Sequence, residues 1–276
     1  MTEALTINGV SLDTYALMLG DISGLMMVPQ RRGDNVTVPN RHGRIRTLGK
    51  KFEANELTLP LRIWGSNPDG SIPSGSNEQL EFFKRRDELL QLLYSDPMLI
   101  KYTRPNGHTV QTRGEVLDVL DFTRRYTEPT AQVNVAIEIY DAFWEDEDTV
   151  SQNVGGVTGT ITPLTAFVGG TAPTSDLIIT VFGPCNNPMF ALGNTWVKYS
   201  GVIAAGRQLT IDTCEWQVGP GSGTAWVPEI RLVEQGQPGA WFEIDPAIVP
   251  FQVTFTHTTG GSASASIAGR RKYLSP

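Results

Sequence analysis

Residues 132–140 alternate. Val133, Val135, Ile137 and Ile139 fall on one side of an extended chain, and Gln132, Asn134 and Glu138 fall on the other. A period of two suits a strand with one dry face. A helix would scatter the same residues around its cylinder. Such a strand must bury its apolar side against others, so the pattern predicts a sheet. Residues 56–64 repeat it with Leu57, Leu59, Leu61 and Ile63. Pro60 lacks an amide hydrogen there, which confines the strand to an edge or a bulge. Between the two, residues 110–120 read as one or two further strands with a break near Gly114.

One segment has helical spacing. Over residues 77–94, Phe82, Phe83, Leu89, Leu90 and Leu93 make an apolar stripe, and Lys84, Arg85, Arg86, Asp87 and Glu88 make a solvated face. Ser76 and Gln79 stand at capping-box spacing, and Asp96-Pro97 ends the helix. One helix on antiparallel strands predicts an α+β first domain.

The run from Thr174 to Pro188 opens a second module: a strand at Leu177–Phe182, then the turn Gly183-Pro184-Cys185-Asn186-Asn187-Pro188. Short strands follow over 195–199, 209–211, 240–244 and 251–257, separated by Gly, Pro and Asn. This is the pattern of an antiparallel β-sandwich of galectin or jelly-roll type. The Gly- and Thr-rich residues 155–174 stand before it. The fold class is therefore mainly β, with domains at residues 1–149 and 150–276.

Composition agrees and excludes. With 276 residues the chain can bury two cores, and 28 Gly and 18 Pro favour a turn-rich β protein over a helical one. A net charge of -7 opposes general binding to phosphate backbones. The N-terminus has neither the cationic start nor the apolar core of a secretory signal, and no stretch is apolar for long enough to span a bilayer, which predicts folding in a cytoplasm without membrane insertion. Cys185 and Cys214 then read as thiols, with no His or Cys at metal-ligand spacing.

The candidate chemistry is thin. Residues 145–148, Glu-Asp-Glu-Asp, lack the spacing and turn glycine of a calcium loop and read as a solvated linker. Glu138 and Asp141 point to opposite faces of a strand, unlike a glycosidase pair. His42, His108 and His257 lie far apart and read as turn or surface residues. The Gly-rich residues 219–224 have no following Lys and read as a loop. No catalytic, metal or cofactor site is predicted.

Two clusters are left. Arg31, Arg32, Arg41, Arg44, Arg46, Lys50 and Lys51 form a basic, turn-rich segment in an otherwise acidic domain, predicted to pair with the acidic surface of a neighbouring subunit. In the second module, Trp196, Trp216, Trp226 and Trp241 read as core aromatics. Trp216, Trp226 and Trp241 are the candidates for contact with a glycan or partner.

In order along the chain stand Val38-Pro39-Asn40-Arg41-His42-Gly43, Leu61-Arg62-Ile63-Trp64-Gly65, the helix from Asn77, Tyr140-Asp141-Ala142-Phe143-Trp144, residues 182–188 and Ile211-Asp212-Thr213. This series resembles the distal tail protein of long-tailed, non-contractile bacteriophages, especially the minor tail proteins of actinobacteriophages. The resemblance implies an N-terminal domain that closes the tail tube as a hexameric ring, and an outward galectin-like or carbohydrate-module-like sandwich. It also implies a virion protein with the tail tube and the tail tip or baseplate as partners, and DNA passing through the lumen without specific binding. Such a protein has no catalytic turnover. The chain departs from the pattern at Ala142, where Pro is expected, and at residues 245–250, which replace a Pro-Gly-Asn turn. The rival expectation is a carbohydrate-binding adhesion module contacting the host cell wall.

Overall fold

The computed structural model describes all residues except 1–2, 16–21, 23, 33–35, 38–43, 46–50, 68, 118–119, 121, 125–127, 222–225, 237–241 and 259–262. The chain is mainly β, and its described residues contain one α-helix. It forms two compact units, residues 1–145 with 274–276 and residues 146–273.

The first unit is an antiparallel sheet with one helix. Its elements are β1 (Ala4–Ile7), β2 (Val10–Ser11), β3 (Val36–Thr37), β4 (Arg44–Ile45), β5 (Asn55–Trp64), α1 (Glu78–Leu93), β6 (Met98–Thr103), β7 (Thr109–Val116), β8 (Thr123–Arg124), β9 (Thr130–Ile139) and β10 (Trp144–Asp146). The main path runs β2-β1-β6-β7-β10, and β9 joins β5, β7 and β8 to it. The two alternating segments pair with each other from Asn55↔Ile139 to Trp64↔Thr130. Leu57, Leu59, Leu61, Ile63, Val133, Val135, Ile137 and Ile139 are all buried. Each such side chain contributes about 1.5–3 kcal/mol when taken from water.

The break expected at Gly114 is a change of partner. β7 pairs with β6 as far as Met98↔Gly114, then with β9 through Glu115↔Glu138 and Val116↔Ile137. A Cβ on Gly114 would lie 2.7 Å from Glu138 O, so glycine lets the strands converge. The helix begins one residue later than a Ser76 cap implies. Asn77 is the N-cap, its Oδ1 accepting from Leu80 N–H at 2.9 Å. Ser76 Oγ has no hydrogen-bond partner among the described residues. Phe83 lies partly exposed under the Arg86 guanidinium, 5.0 Å from the ring centroid, at the margin of the stripe.

The second unit is a sandwich of two five-stranded antiparallel sheets. Its strands are β11 (Val150–Val154), β12 (Thr160–Pro163), β13 (Leu177–Phe182), β14 (Cys185–Asn186), β15 (Met189–Leu192), β16 (Thr195–Tyr199), β17 (Val202–Ile203), β18 (Gln208–Asp212), β19 (Gln217–Pro220), β20 (Val233–Gln235), β21 (Gln252–Thr256), β22 (Ser264–Gly269) and β23 (Lys272–Tyr273). One sheet is ordered β11-β22-β13-β18-β19 and the other β12-β21-β15-β16-β20. Leu177, Ile179, Val181, Leu209, Ile211 and Ile267 of the first meet Phe190, Leu192, Val197, Tyr199, Val253 and Phe255 of the second in one core. Phe190 and Phe255 stack at 4.9 Å. The Gly- and Thr-rich stretch belongs to this unit. It supplies β12 and the bridges Ala172↔Lys272 and Thr174↔Ile244.

The acidic run is a correction to the sequence reading. Glu145 accepts from Gln111 Nε2 at 3.1 Å. Asp146 is 4% exposed; Arg271 Nε donates to its Oδ2 at 2.5 Å and Tyr273 O–H to its Oδ1 at 2.9 Å. Desolvation weakens the Arg271 charge, but the bond to Asp146 and its attraction win, and the guanidinium is held above its ordinary pKa. Replacing Asp146 by Ala removes the carboxylate to which Arg271 Nε and Tyr273 O–H donate. The expected loss is about 3 kcal/mol, at the low end for a broken buried pair because Arg271 keeps some contact with water. Chemical denaturation of D146A against wild type measures it.

Both cysteines are free thiols, Cys185 buried and Cys214 exposed. Burial pushes the Cys185 thiol from an ordinary 9.0 up to about 11. Below pH 9 both folded and unfolded chains keep this proton and the contribution is full. Between 9 and 11 the unfolded thiol ionises first, so stability falls as pH rises, by about 2–3 kcal/mol in total. Thiol titration should find Cys214 alone in the native protein and both cysteines in denaturant. A Cys185→Ala variant should lose this part of the alkaline decline.

Candidate functional site

The basic segment is an antiparallel excursion closed at its base. Arg31 bridges Phe52, Arg32 N–H donates to Lys51 O at 2.6 Å, and Glu53 N–H donates to Gln30 O at 2.8 Å. Further out, β3 pairs with β4 through Val36↔Ile45 and Thr37↔Arg44. The Arg31 guanidinium lies 5.4 Å from the centroid of Phe52, which meets Phe143 edge-on at 5.1 Å. Arg41, Arg46 and Lys50 lie outside the described residues, as does His42, and Arg44 is described in its backbone alone. The approach to the segment is apolar: Met26, Met27 and Val28 are 62%, 48% and 52% exposed.

Sequence reasoning missed an acidic counterpart. Glu138 of β9 stands opposite Glu56 of β5 and opposite Glu115 of β7, so three carboxylates cross the sheet in one row. Like charges directly opposite each other oppose pairing. Alternation put Glu138 on the polar face, but only the register between distant strands reveals the row.

In the second unit the tryptophans separate. Trp226 packs against the core, its indole N–H donating to Gln208 O at 3.0 Å and its ring edge-on to Tyr199 at 6.3 Å. Trp216 has φ +52° and lies between β18 and β19. Trp241 lies outside the described residues. Trp196 occupies the outward face of the second sheet, opposite Ala191.

That face is polar by register. Thr256, Met189, Lys198 and Glu234 form one row across β21, β15, β16 and β20. Thr254, Ala191 and Trp196 form the next. The row opens into a groove of about 280 Å³ lined by Asn187, Met189, Lys198, Thr256, His257 and Thr258. Lys198 Nζ lies 4.0 Å from Glu234 Oε2, and Ser200 O–H donates to Glu234 Oε1 at 2.5 Å. His257 is a second correction. It is 7% exposed, its ring 5.3 Å from Phe255 and its Nε2 3.1 Å from Gly156 O.

The described residues contain no group of three His, Cys, Asp or Glu placed to hold a metal ion. His108 Nδ1 lies 3.1 Å from Arg104 Nη1 beside the turn that joins β6 to β7. Of the Gly-rich residues 219–224, Gly219 and Pro220 end β19 and pair with Thr210 and Leu209.

The sequence matches no protein-family model and no curated protein. Among solved structures, the chain superposes on the SPP1 Dit protein (gp 19.1), described as a paradigm of the hub adsorption apparatus in phages infecting Gram-positive bacteria. The TM-score is 0.65 at 15% identity, over 99% of each chain. Chains of the phage p2 baseplate in its activated conformation, with Sr and with Ca, align over 98% and 97% of this chain and 98% of theirs, at 10% identity. Their TM-scores of 0.41 and 0.43 are too low to add to the comparison. From end to end, this chain has the fold of the SPP1 Dit protein.

Proposed function

We propose that the chain is a structural component of a phage tail tip, of the distal tail type, built to join other proteins and to carry out no reaction. The observation that carries this reading is the match to SPP1 Dit over 99% of both chains, with a TM-score of 0.65. The finer reading is a hexameric ring of residues 1–149 that joins the tail tube to the tip or baseplate and lets DNA through its lumen, with residues 150–276 as an outward sandwich. It assembles in the host cytoplasm and works in the virion, of an actinobacteriophage in this reading.

A head-to-tail ring needs two different complementary patches on each subunit. The basic segment from Arg31 to Lys51 is one, and the row Glu56, Glu138 and Glu115 is the other. An incoming guanidinium would relieve the repulsion that this row carries in the single chain. Charges at such a contact set register and association more than raw affinity.

Electron microscopy and light scattering of the purified protein test the reading: sixfold rings support it, and a monomer at every concentration sinks it. Reversing Arg44 and Arg46 to Glu should convert rings to smaller species. It should leave thermal unfolding nearly unchanged, because charges whose role is at a contact between subunits contribute about 0–1 kcal/mol to the folding of one chain. Adding Glu138→Lys to that variant should restore assembly. Intact rings in the double reversal at physiological salt would remove the basic segment from the interface.

Purified protein should release no product from peptidoglycan or arabinogalactan-type polymers. Release that disappears in a Glu138 or Asp141 variant would make it an enzyme.

A further inference from the structure

We propose that the solvent-facing side of α1 pairs two copies of this chain, helix against helix and antiparallel, about a two-fold axis at Asp87. The helix buries Phe82, Leu89 and Leu93 against β5. It carries a second stripe that the sheet leaves uncovered. Leu80, Phe83, Asp87, Leu90 and Tyr94 recur at alternating intervals of three and four residues, the spacing that sets side chains along one line of a helix. Leu80 is 58% exposed, Phe83 39% and Tyr94, at the C-cap, 63%; Leu90 is half-buried.

The occupant follows from the order of this stripe, which reads the same in both directions: two apolar residues, a charge, two apolar residues. In an antiparallel pair centred on Asp87, Leu80 of one copy meets Tyr94 of the other, and Phe83 meets Leu90. The stripe therefore fits a second stripe of its own kind, ridge into groove. Its centre is self-complementary in charge as well. Arg86 Nε and Nη2 both donate to Asp87 Oδ1, at 3.0 and 2.6 Å, which leaves Oδ2 to accept from Arg86 of the other copy. The axis thus brings together two carboxylates and two guanidiniums. The same guanidinium lies 5.0 Å from the Phe83 ring centroid, so the charged centre and the apolar flank form one surface. A parallel pair would instead set the two Glu78 side chains and two like helix dipoles side by side.

A two-fold contact closes on itself, so it is not the head-to-tail contact of a ring. It joins two chains, or two rings where rings form, and does not rest on the assembly reading. One helix face about 21 Å long buries less than the total of about 1,200–2,000 Å² found in stable pairs, so the association is expected to be reversible and to need high concentration.

Sedimentation of the full chain from about 10 μM to about 1 mM, where a contact worth about 4 kcal/mol is half formed, tests the pairing. The mass of the sedimenting species should double over that range. The Arg44→Glu, Arg46→Glu variant, which takes rings apart in the assembly reading, should still pair. Leu80→Glu and Tyr94→Glu should each weaken pairing more than about a hundredfold, because the axis removes two apolar contacts at once. Their thermal midpoints should stay at the wild-type value, and Glu88→Gln, on the other side of the exposed surface, should pair normally. Combining Leu80→Lys with Tyr94→Glu should restore pairing in part, since the two new charges attract across the axis. A mass that stays constant up to about 1 mM overturns the proposal. So does pairing that Leu80→Glu and Tyr94→Glu both retain, or a combined variant that pairs no better than the single ones.

Discussion

The second unit is closed by a single buried carboxylate. Asp146 is its first residue, and Arg271 and Tyr273, which hold that carboxylate, are among its last. The bonds span 125 and 127 residues of sequence, so they form only when the whole sandwich between them has folded. Neighbouring polar groups repeat the device. Lys272 pairs with Asp176, Thr174 O–H donates to Arg270 O, and Thr213 O–H bonds the carbonyls of Ser175 and Leu177. Buried polar groups of this kind are tolerated because each has a partner, and removing one partner costs more than the pair contributes. The chain therefore enters and leaves the sandwich at adjoining residues, Asp146 and Tyr273, and Leu274–Pro276 belong to the first unit.

How much of this could be read beforehand follows from the range of each interaction. Alternation is local, and the strands with strong period-two patterns, β5, β9, β13, β16 and β21, lie within a residue or two of where the sequence puts them. β22 was not legible. Its sequence Ser-Ala-Ser-Ile-Ala-Gly has small residues where strands favour branched ones, and it is a strand because β11 and β13 flank it on both sides. Residues 155–174 show no strand pattern, because Gly and Thr there lack periodicity, yet Gly156 is required where a Cβ would fall 1.7 Å from Ala263 O. Glu145-Asp146 read as solvated because nothing local announces a cation 125 residues away. The same limit hid the groove: its six residues come from separated stretches, and only the pairing of β15 with β16 and β21 assembles them.

The two candidate surfaces differ in chemistry as well as in place. In the first unit, charge is segregated: seven of the 22 Lys and Arg lie between Arg31 and Lys51, while three glutamates share a row on the sheet. Segregated charge steers a partner from a distance and weakens as salt screens it over about 10 Å at 0.1 M. In the second unit the groove is balanced, with Lys198 matched by Glu234. A subunit contact registered by charge, as proposed, would weaken as salt is added, whereas a ligand held in the groove by short hydrogen bonds would respond little to salt.

The edge of the first sheet limits how another chain can add to it. Among the described residues, β5, ten residues long, pairs on one side only, with β9. A free edge of that length invites another chain to add a strand. Three features oppose it. Gly24 comes so close to the start of the strand that a Cβ there would lie 2.0 Å from Glu56 O. Pro60 removes a donor in the middle. At the far end Arg85 Nη1 donates to Ser66 O at 2.6 Å and reaches Trp64 O at 3.4 Å, occupying carbonyls that an added strand would need. A protein that must associate in one geometry gains from closing off the promiscuous one. With backbone pairing obstructed along β5, contacts at this edge fall to side chains, whose charge pattern can specify a single register.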